Sequence, residues 1–221
     1  MPEFIQNVSR IPKQGKNFDV TEGSIDLIKG LNQNGNVSFT ISTPPAFKSR
    51  VISALTFDTL GEIEAFHDGF LENDQSRDKF QKVAADCEDV NISIIRNVRQ
   101  PEVFSPDAKY MIRTIFVAKR AEAPNLLDTV LEMADSSKTM DPLISVPMFG
   151  SPDVVRIVNG INSLEDVNSI IAEVNGESFA PFRRQVSSLT VRMFRTLSRV
   201  AYRTGSYPDR KRLNLKYTGG L

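Results

Sequence analysis

Apolar and polar positions along this chain follow two rhythms, one of period two and one of helical period. Residues 36–43 are the cleanest case of the first. Val37, Phe39 and Ile41 point one way and Ser38, Thr40 and Ser42 the other, the alternation of a half-buried strand. Pro44-Pro45 ends the run, because proline cannot donate to a ladder. Residues 4–12, 51–57 and 90–98 read as further strands. Between them, Thr21-Glu22 opens a helix through Ile25, Ile28 and Leu31 that Asn34-Gly35 stops. Asp58 or Thr59 caps a second helix carrying Leu60, Ile63, His67 and Phe70, and another helical piece carries Phe80 and Val83.

The same order then recurs. Residues 110–118 are apolar on both faces, which predicts a fully buried strand. Residues 125–134 are helical, with Leu127, Val130 and Leu131 on one side. Residues 143–149 form a strand that turns at Gly150-Ser151-Pro152, and 154–161 form the next. Asn162 or Ser163 caps a helix with Leu164, Val167, Ile171 and Val174. A short segment holds Phe179 and Phe182, and an unusually long strand over 189–201 closes the set. Residues 55–63 and 159–167 match in kind: the end of an apolar run, an Asx-Ser/Thr-Leu type step, an acidic residue, then a helical spacing. The chain therefore reads as one unit repeated about one hundred residues later.

This parsing predicts a first unit over 1–100, a linker over 101–109 marked by Pro101 and Pro106, a second unit over 110–204 and a basic tail over 205–221. Each unit is β-α-β-β-α-β, the ferredoxin-like split arrangement with helices on one face of a four-stranded antiparallel sheet. One such sheet leaves its other face apolar. Two copies can cover each other, so the expected class is α+β, with the sheets facing to form a barrel and the helices outside.

The order, size and duplication resemble the dimeric α+β barrel superfamily, which includes antibiotic-biosynthesis-type monooxygenases, NIPSNAP-like proteins and chlorite-dismutase-like haem proteins. The strand start Tyr110-Met111-Ile112-Arg113-Thr114 is similar to the opening of NIPSNAP-like domains. The resemblance covers most of residues 4–204. It implies a small, largely apolar ligand between the sheets, with an acid group among the options. It also implies chemistry of the cofactor-independent monooxygenase kind, which uses the substrate's own reactivity and a few polar residues.

Composition narrows the classes. Lys+Arg and Asp+Glu balance at 27 each over 221 residues, so no polyelectrolyte signature is present. The balance hides an asymmetry: 177–221 is rich in arginine, while 121–176 is acidic. The simplest expectation is that the two pair within the molecule or between subunits, and nucleic acid is the less favoured partner. One cysteine, Cys87, excludes an intrachain disulfide. No apolar run approaches the roughly 20 residues of a membrane span, and the N-terminus does not read as a signal peptide. The expectation is a cytoplasmic protein, assembled as a homo-oligomer and not bound to a membrane.

Candidate chemistry is sparse. His67, the single histidine, could act as a general base or ligate haem; the competing reading is a packed histidine with one hydrogen bond. The second unit lacks a histidine, so haem is not expected and no cofactor is assigned. One His and one Cys do not make a zinc site, and no metal is assigned. No Walker loop, dinucleotide fingerprint or Gly-x-Ser-x-Gly elbow occurs. Arg113 sits in a strand with apolar neighbours and wants a carboxylate or an anionic ligand; a structural ion pair is the alternative. Asn159 shares a face with Val155, Ile157 and Ile161 and could stand inside the barrel, a weak catalytic candidate with His67 and a ligand contact with Arg113 and Tyr110, or simply be a polar residue near a strand end. The alternative function is a non-enzymatic oligomeric scaffold using the arginine-rich last strand and tail. Unfilled space with convergent polar groups between the sheets would mark the first reading, and a packed interior the second.

Overall fold

The computed structural model describes residues 2–31, 33–45, 47–101 and 108–204. The proposed tail and most of the proposed linker lie outside them. The first half runs β1 (Phe4–Pro12), α1 (Asn17–Gly30), β2 (Gly35–Ser42), β3 (Val51–Phe57), α2 (Leu60–Glu72), α3 (Asp74–Ala85) and β4 (Cys87–Arg99). The second runs β5 (Tyr110–Ala118), α4 (Ala123–Asp135), β6 (Leu143–Pro147), β7 (Val154–Ile161), α5 (Glu165–Asn175), a 3-10 turn, α6 (Ala180–Leu189) and β8 (Thr190–Arg203).

All strand pairs are antiparallel, and the eight close into one ring in the order β1-β3-β2-β8-β5-β7-β6-β4. Within the ring, β4-β1-β3-β2 and β8-β5-β7-β6 are the same order of elements. Each half is a ferredoxin-like sheet, and the β2–β8 and β4–β6 pairs sew the two together. Closure leaves no unpaired sheet edge. This is the expected α+β barrel.

Helices cover the outer face. Phe4, Val37, Val51, Leu55 and Phe57 pack against Val20, Ile25, Leu27 and Ile28 of α1, Ile63 of α2 and Val83 of α3. Burying side chains of this size stabilises by about 1.5–3 kcal/mol each. Phe116, Ile144, Val155 and Ile157 do the same against Leu126 and Val130 of α4. The α1–α3 contact is close enough that a Cβ on Gly23 would lie 2.5 Å from Val83 Cγ2. The inner face carries a different cluster, Ile5, Ala54 and Ile95 with Leu143.

Caps follow the sequence at two helices. Thr59 accepts from Glu62 N to start α2. Before α5, the Asp166 carboxylate accepts from Asn162 N and Ser163 N, each at 3.0 Å, a reciprocal capping arrangement. Two elements depart from expectation. The first helix begins at Asn17, not near Thr21, and Thr21 Oγ1 donates back to Asn17 O at 2.7 Å from inside it. The segment with Phe179 and Phe182 continues as the full helix α6.

Candidate functional site

Strand register decides which residues face the barrel lumen. Side chains alternate along a strand, and directly paired residues share a face. Arg113 pairs with Val158 on β7 and Thr196 on β8, and Ile115 pairs with Arg156 and Phe194. These residues lie on the face opposite Ile112, Thr114 and Phe116. Ile112 packs on Ile170 of α5, and Phe116 on Leu126 and Val130 of α4. Arg113, Ile115, Arg156, Val158, Phe194 and Thr196 therefore face inward. From the first half, Asn7 and Ala54 oppose each other on the inner face. Ser38, between Val37 and Phe39, completes it on β2.

The lumen is unusually cationic. Arg113 is buried, and its Nη2 donates to Ser38 Oγ at 2.8 Å and approaches Met111 Sδ at 3.3 Å. Its Nη1 is buried with no partner. Burial, and after it the charge of Arg156, pulls the Arg113 guanidinium down to about 9. Burial pulls Arg156 down to about 10. Arg156 is deeply surrounded by protein yet keeps some accessible surface. The buried residues of the described chain include no aspartate or glutamate, so neither guanidinium meets a buried carboxylate. Among the described residues, Arg113 makes no ion pair. Ser145 Oγ, Ser198 Oγ and Asn7 Nδ2 are also buried without a partner. At one end, Phe47 from the β2–β3 segment stacks on Phe194 at 4.8 Å, and the Arg192 guanidinium lies over both rings.

The other sequence candidates fall elsewhere. Asn159 is buried, but it pairs with Ile112 and so lies on the outer, helix-facing side. The expectation that it stands inside the barrel is corrected: both faces of β7 are apolar, so alternation groups the residues without saying which group is inward. Asn159 borders a crevice of about 200 Å³ with Gly160, Met111, Met140, Asp141 and Ile170, where β7 runs past the end of β6. Tyr110 is also outward, with the Arg199 guanidinium 4.7 Å from its ring centre. His67 lies in the helix layer, its Nε2 2.8 Å from Oε1 of buried Gln6. His67 and Arg113 are thus on opposite sides of the sheet.

Two acids of the acidic stretch pair with an arginine of the first half. Asp135 and Asp141 pair with Arg99 at 3.1 and 2.8 Å. The arginines near the end of the described chain use other groups: Arg183 donates to Gly176 O, Arg195 to Thr114 Oγ1 and Arg199 to Lys109 O. No group of three or more potential metal ligands occurs among the described residues, and no helix of theirs is long and apolar enough to cross a membrane.

Arg156 was not singled out by the sequence reading. It carries the signal used for Arg113, a lone arginine between Val155 and Ile157 in an apolar strand.

No protein-family model matches this sequence, and no curated protein matches it either. Solved structures do. A proposed monooxygenase of Fusobacterium nucleatum is similar with a TM-score of 0.67 at 12% identity, over 93% of this chain and 95% of that one. An anthrone oxidase-like protein gives 0.67 at 9% identity, over 92% of each chain. A proposed monooxygenase of Lactobacillus acidophilus gives 0.60 at 10% identity, over 90% of this chain and 94% of that one. At these identities the likeness shows the fold, a ferredoxin-like α+β barrel that covers more than nine-tenths of each neighbour.

Proposed function

We propose that the barrel lumen binds a small, largely apolar ligand bearing an acid group, and that the protein oxidises it without a bound cofactor, in the manner of a monooxygenase. The observation that carries the binding part is Arg113, buried in the lumen with a free Nη1 and no buried carboxylate. A buried guanidinium in that state favours an incoming anion. Ile5, Ala54, Ile95 and Leu143 supply an apolar wall. Arg113 Nη1, Ser145 Oγ, Ser198 Oγ and Asn7 Nδ2 are inward polar atoms for a ligand to meet, and buried polar groups normally find a partner. The monooxygenase part leans on the names of the structural neighbours and on the shared fold, which alone does not carry function. The reading assigns the acid group to Arg113 and gives Tyr110, Asn159 and His67 no ligand contact.

A cytoplasmic homo-oligomer accords with this reading. Val191 and Met193 on β8 stand exposed and offer an apolar surface for a second copy.

Octanoate, octanol and octylamine form a matched test of the lumen. Octanoate should raise the melting temperature more than octanol, octylamine should give no rise, and Arg113→Met should abolish the advantage of the acid. Equal shifts from acid and alcohol would overturn the binding claim. Oxygen uptake with an anthrone carboxylate as probe, lost in Arg113→Met, tests the oxidation; no uptake removes that step and leaves the binding.

A further inference from the structure

Arg113 and Arg156 share the inward face of β5 and β7, and their placement says more than either does alone. Arg113 opposes Val158 and Arg156 opposes Ile115 across the β5–β7 pair. They are therefore diagonal neighbours on one inward face. Diagonal neighbours are about 7–8 Å apart, their Cβ atoms somewhat closer, within reach of long side chains. Two like charges buried together raise each other's cost, and nothing acidic is buried beside them. A single negative charge would compensate one guanidinium and leave the other.

The surrounding polar atoms point the same way. Ser145 opposes Arg156 across β6–β7. Ser198 opposes Met111, diagonal to Arg113 across β5–β8. Both hydroxyls are buried and unpartnered, as is Arg113 Nη1. Hydroxyl and guanidinium N–H groups donate, and an oxyanion only accepts. At the positions matching this pair, the first half carries no charge. By register, the first-half counterpart of Arg113 is Asn7, opposite Ala54, and that of Arg156 is Ile52. The lumen thus has a cationic side on β5 and β7 and an apolar cluster at Ile5, Ala54, Ile95 and Leu143.

We infer that Arg113 and Arg156 together seat a dianionic oxygen group, with the hydroxyls of Ser145 and Ser198 donating to it and the apolar part of the ligand lying toward the first half. The inference rests on the lumen being the ligand site, as proposed above, and adds the charge of the ligand. A phosphate monoester and a dicarboxylate present the same chemistry to this pair.

The test uses the full chain at about pH 8, where phosphate is mostly dianionic, in anion-poor buffer at matched ionic strength. Malonate and inorganic phosphate are titrated calorimetrically against acetate, with octanoate as a separate arm. Malonate or phosphate should bind at least about ten-fold more tightly than acetate, the equivalent of one charge-assisted contact. Binding by malonate alone identifies a dicarboxylate seat, and by phosphate alone a phosphate seat. Arg156→Met should lose that preference. Removing an uncompensated buried charge should not unfold the protein, and the malonate-to-acetate ratio of the unaltered chain decides the matter without any variant. Equal affinity for malonate, phosphate and acetate, or an Arg156→Met protein that keeps the dianion preference, overturns the inference. If octanoate binds and the dianions do not, the inference falls and the lumen reading stands. If the dianions bind and octanoate does not, the inference stands and the apolar part of that reading falls. If nothing binds, both fall.

Discussion

Arg113 and Ser38 join the two repeats through the lumen: the guanidinium of β5 donates to the hydroxyl of β2 at 2.8 Å. Arg113 and Ser38 are both buried, and Ser38 is the only hydroxyl that the arginine reaches within the described residues. Replacing Ser38 by alanine leaves the charge in place and removes its acceptor. A hydrogen bond to a charged group is worth about 1.5–3 kcal/mol. Ser38→Ala should therefore lower the unfolding free energy by that amount, read from urea midpoints. A loss below about 0.5 kcal/mol would mean that lumen water takes over the bond. An anionic ligand should restore most of the loss, because it offers the guanidinium a new acceptor.

The same arginine sets a pH dependence. Its folded-state value is pulled down to about 9, first by burial and then by Arg156. In the unfolded chain it is an ordinary arginine. Below about pH 9 both states hold the proton, and the folded state bears the full cost of the buried charge. As pH rises above that value, the unfolded state holds more protons than the folded one, so stability increases with pH. The slope is bounded by about 1.4 kcal/mol per pH unit. Urea midpoints of the parent and of Arg113→Met at about pH 8 and pH 10 give a difference in which lysine and tyrosine titration cancels. The parent should gain relative to the variant, and parallel slopes would contradict the account.

Phe47 stacks on Phe194, whose side chain is inward, and the Arg192 guanidinium lies 5.2 Å from the Phe47 ring centre. An aromatic stack of this kind contributes about 0.5–1.5 kcal/mol beyond its buried area. Phe47 belongs to the short segment between β2 and β3, so it can leave without breaking the ring of strands. Phe47→Ala should speed ligand dissociation about ten-fold, one aromatic contact's worth, with a smaller effect on thermal stability. Stopped-flow release of octanoate measures this. Unchanged release rates would place the route of entry at the other end of the barrel.

The bounds of β1, β3 and β7 were legible because each is closed by a strong punctuator. Pro12 ends β1, Asp58-Thr59 ends β3 and Asn162-Ser163 ends β7. The start of α1 was not legible because Lys16 offers no side-chain cap and Thr21, a good cap by type, bonds backward from within the helix. Helix α6 escaped because its residues 183–188 are polar but for Val186, and none of its residues is buried. The site was half legible. A lone arginine in an apolar strand is a signal, and Arg156 shows it as clearly as Arg113. That the two are diagonal neighbours depends on the β5–β7 register, which no local pattern encodes. Asn159 shows the complementary limit: alternation sorted it onto the right face with Val155 and Ile157, but a strand buried on both faces gives no mark of which face is the lumen.

His67 separates packing from chemistry. Its Nε2 meets Oε1 of Gln6, which is 3% exposed, and its ring stands edge-on to Phe66 at 5.7 Å. Both partners belong to the helix side of the sheet, so no lumen ligand lies within reach. His67→Leu fills the volume but strands a buried amide oxygen, which costs about 1–3 kcal/mol. His67→Gln can restore a donor to Gln6 and should recover part of that loss. Octanoate affinity should remain within about two-fold of the parent in both variants, since the sheet separates the two environments. Thermal melts and calorimetric titration of the pair provide the check. A leucine variant of unaltered stability with ligand binding abolished would move His67 into the site and refute the placement of the ligand in the lumen.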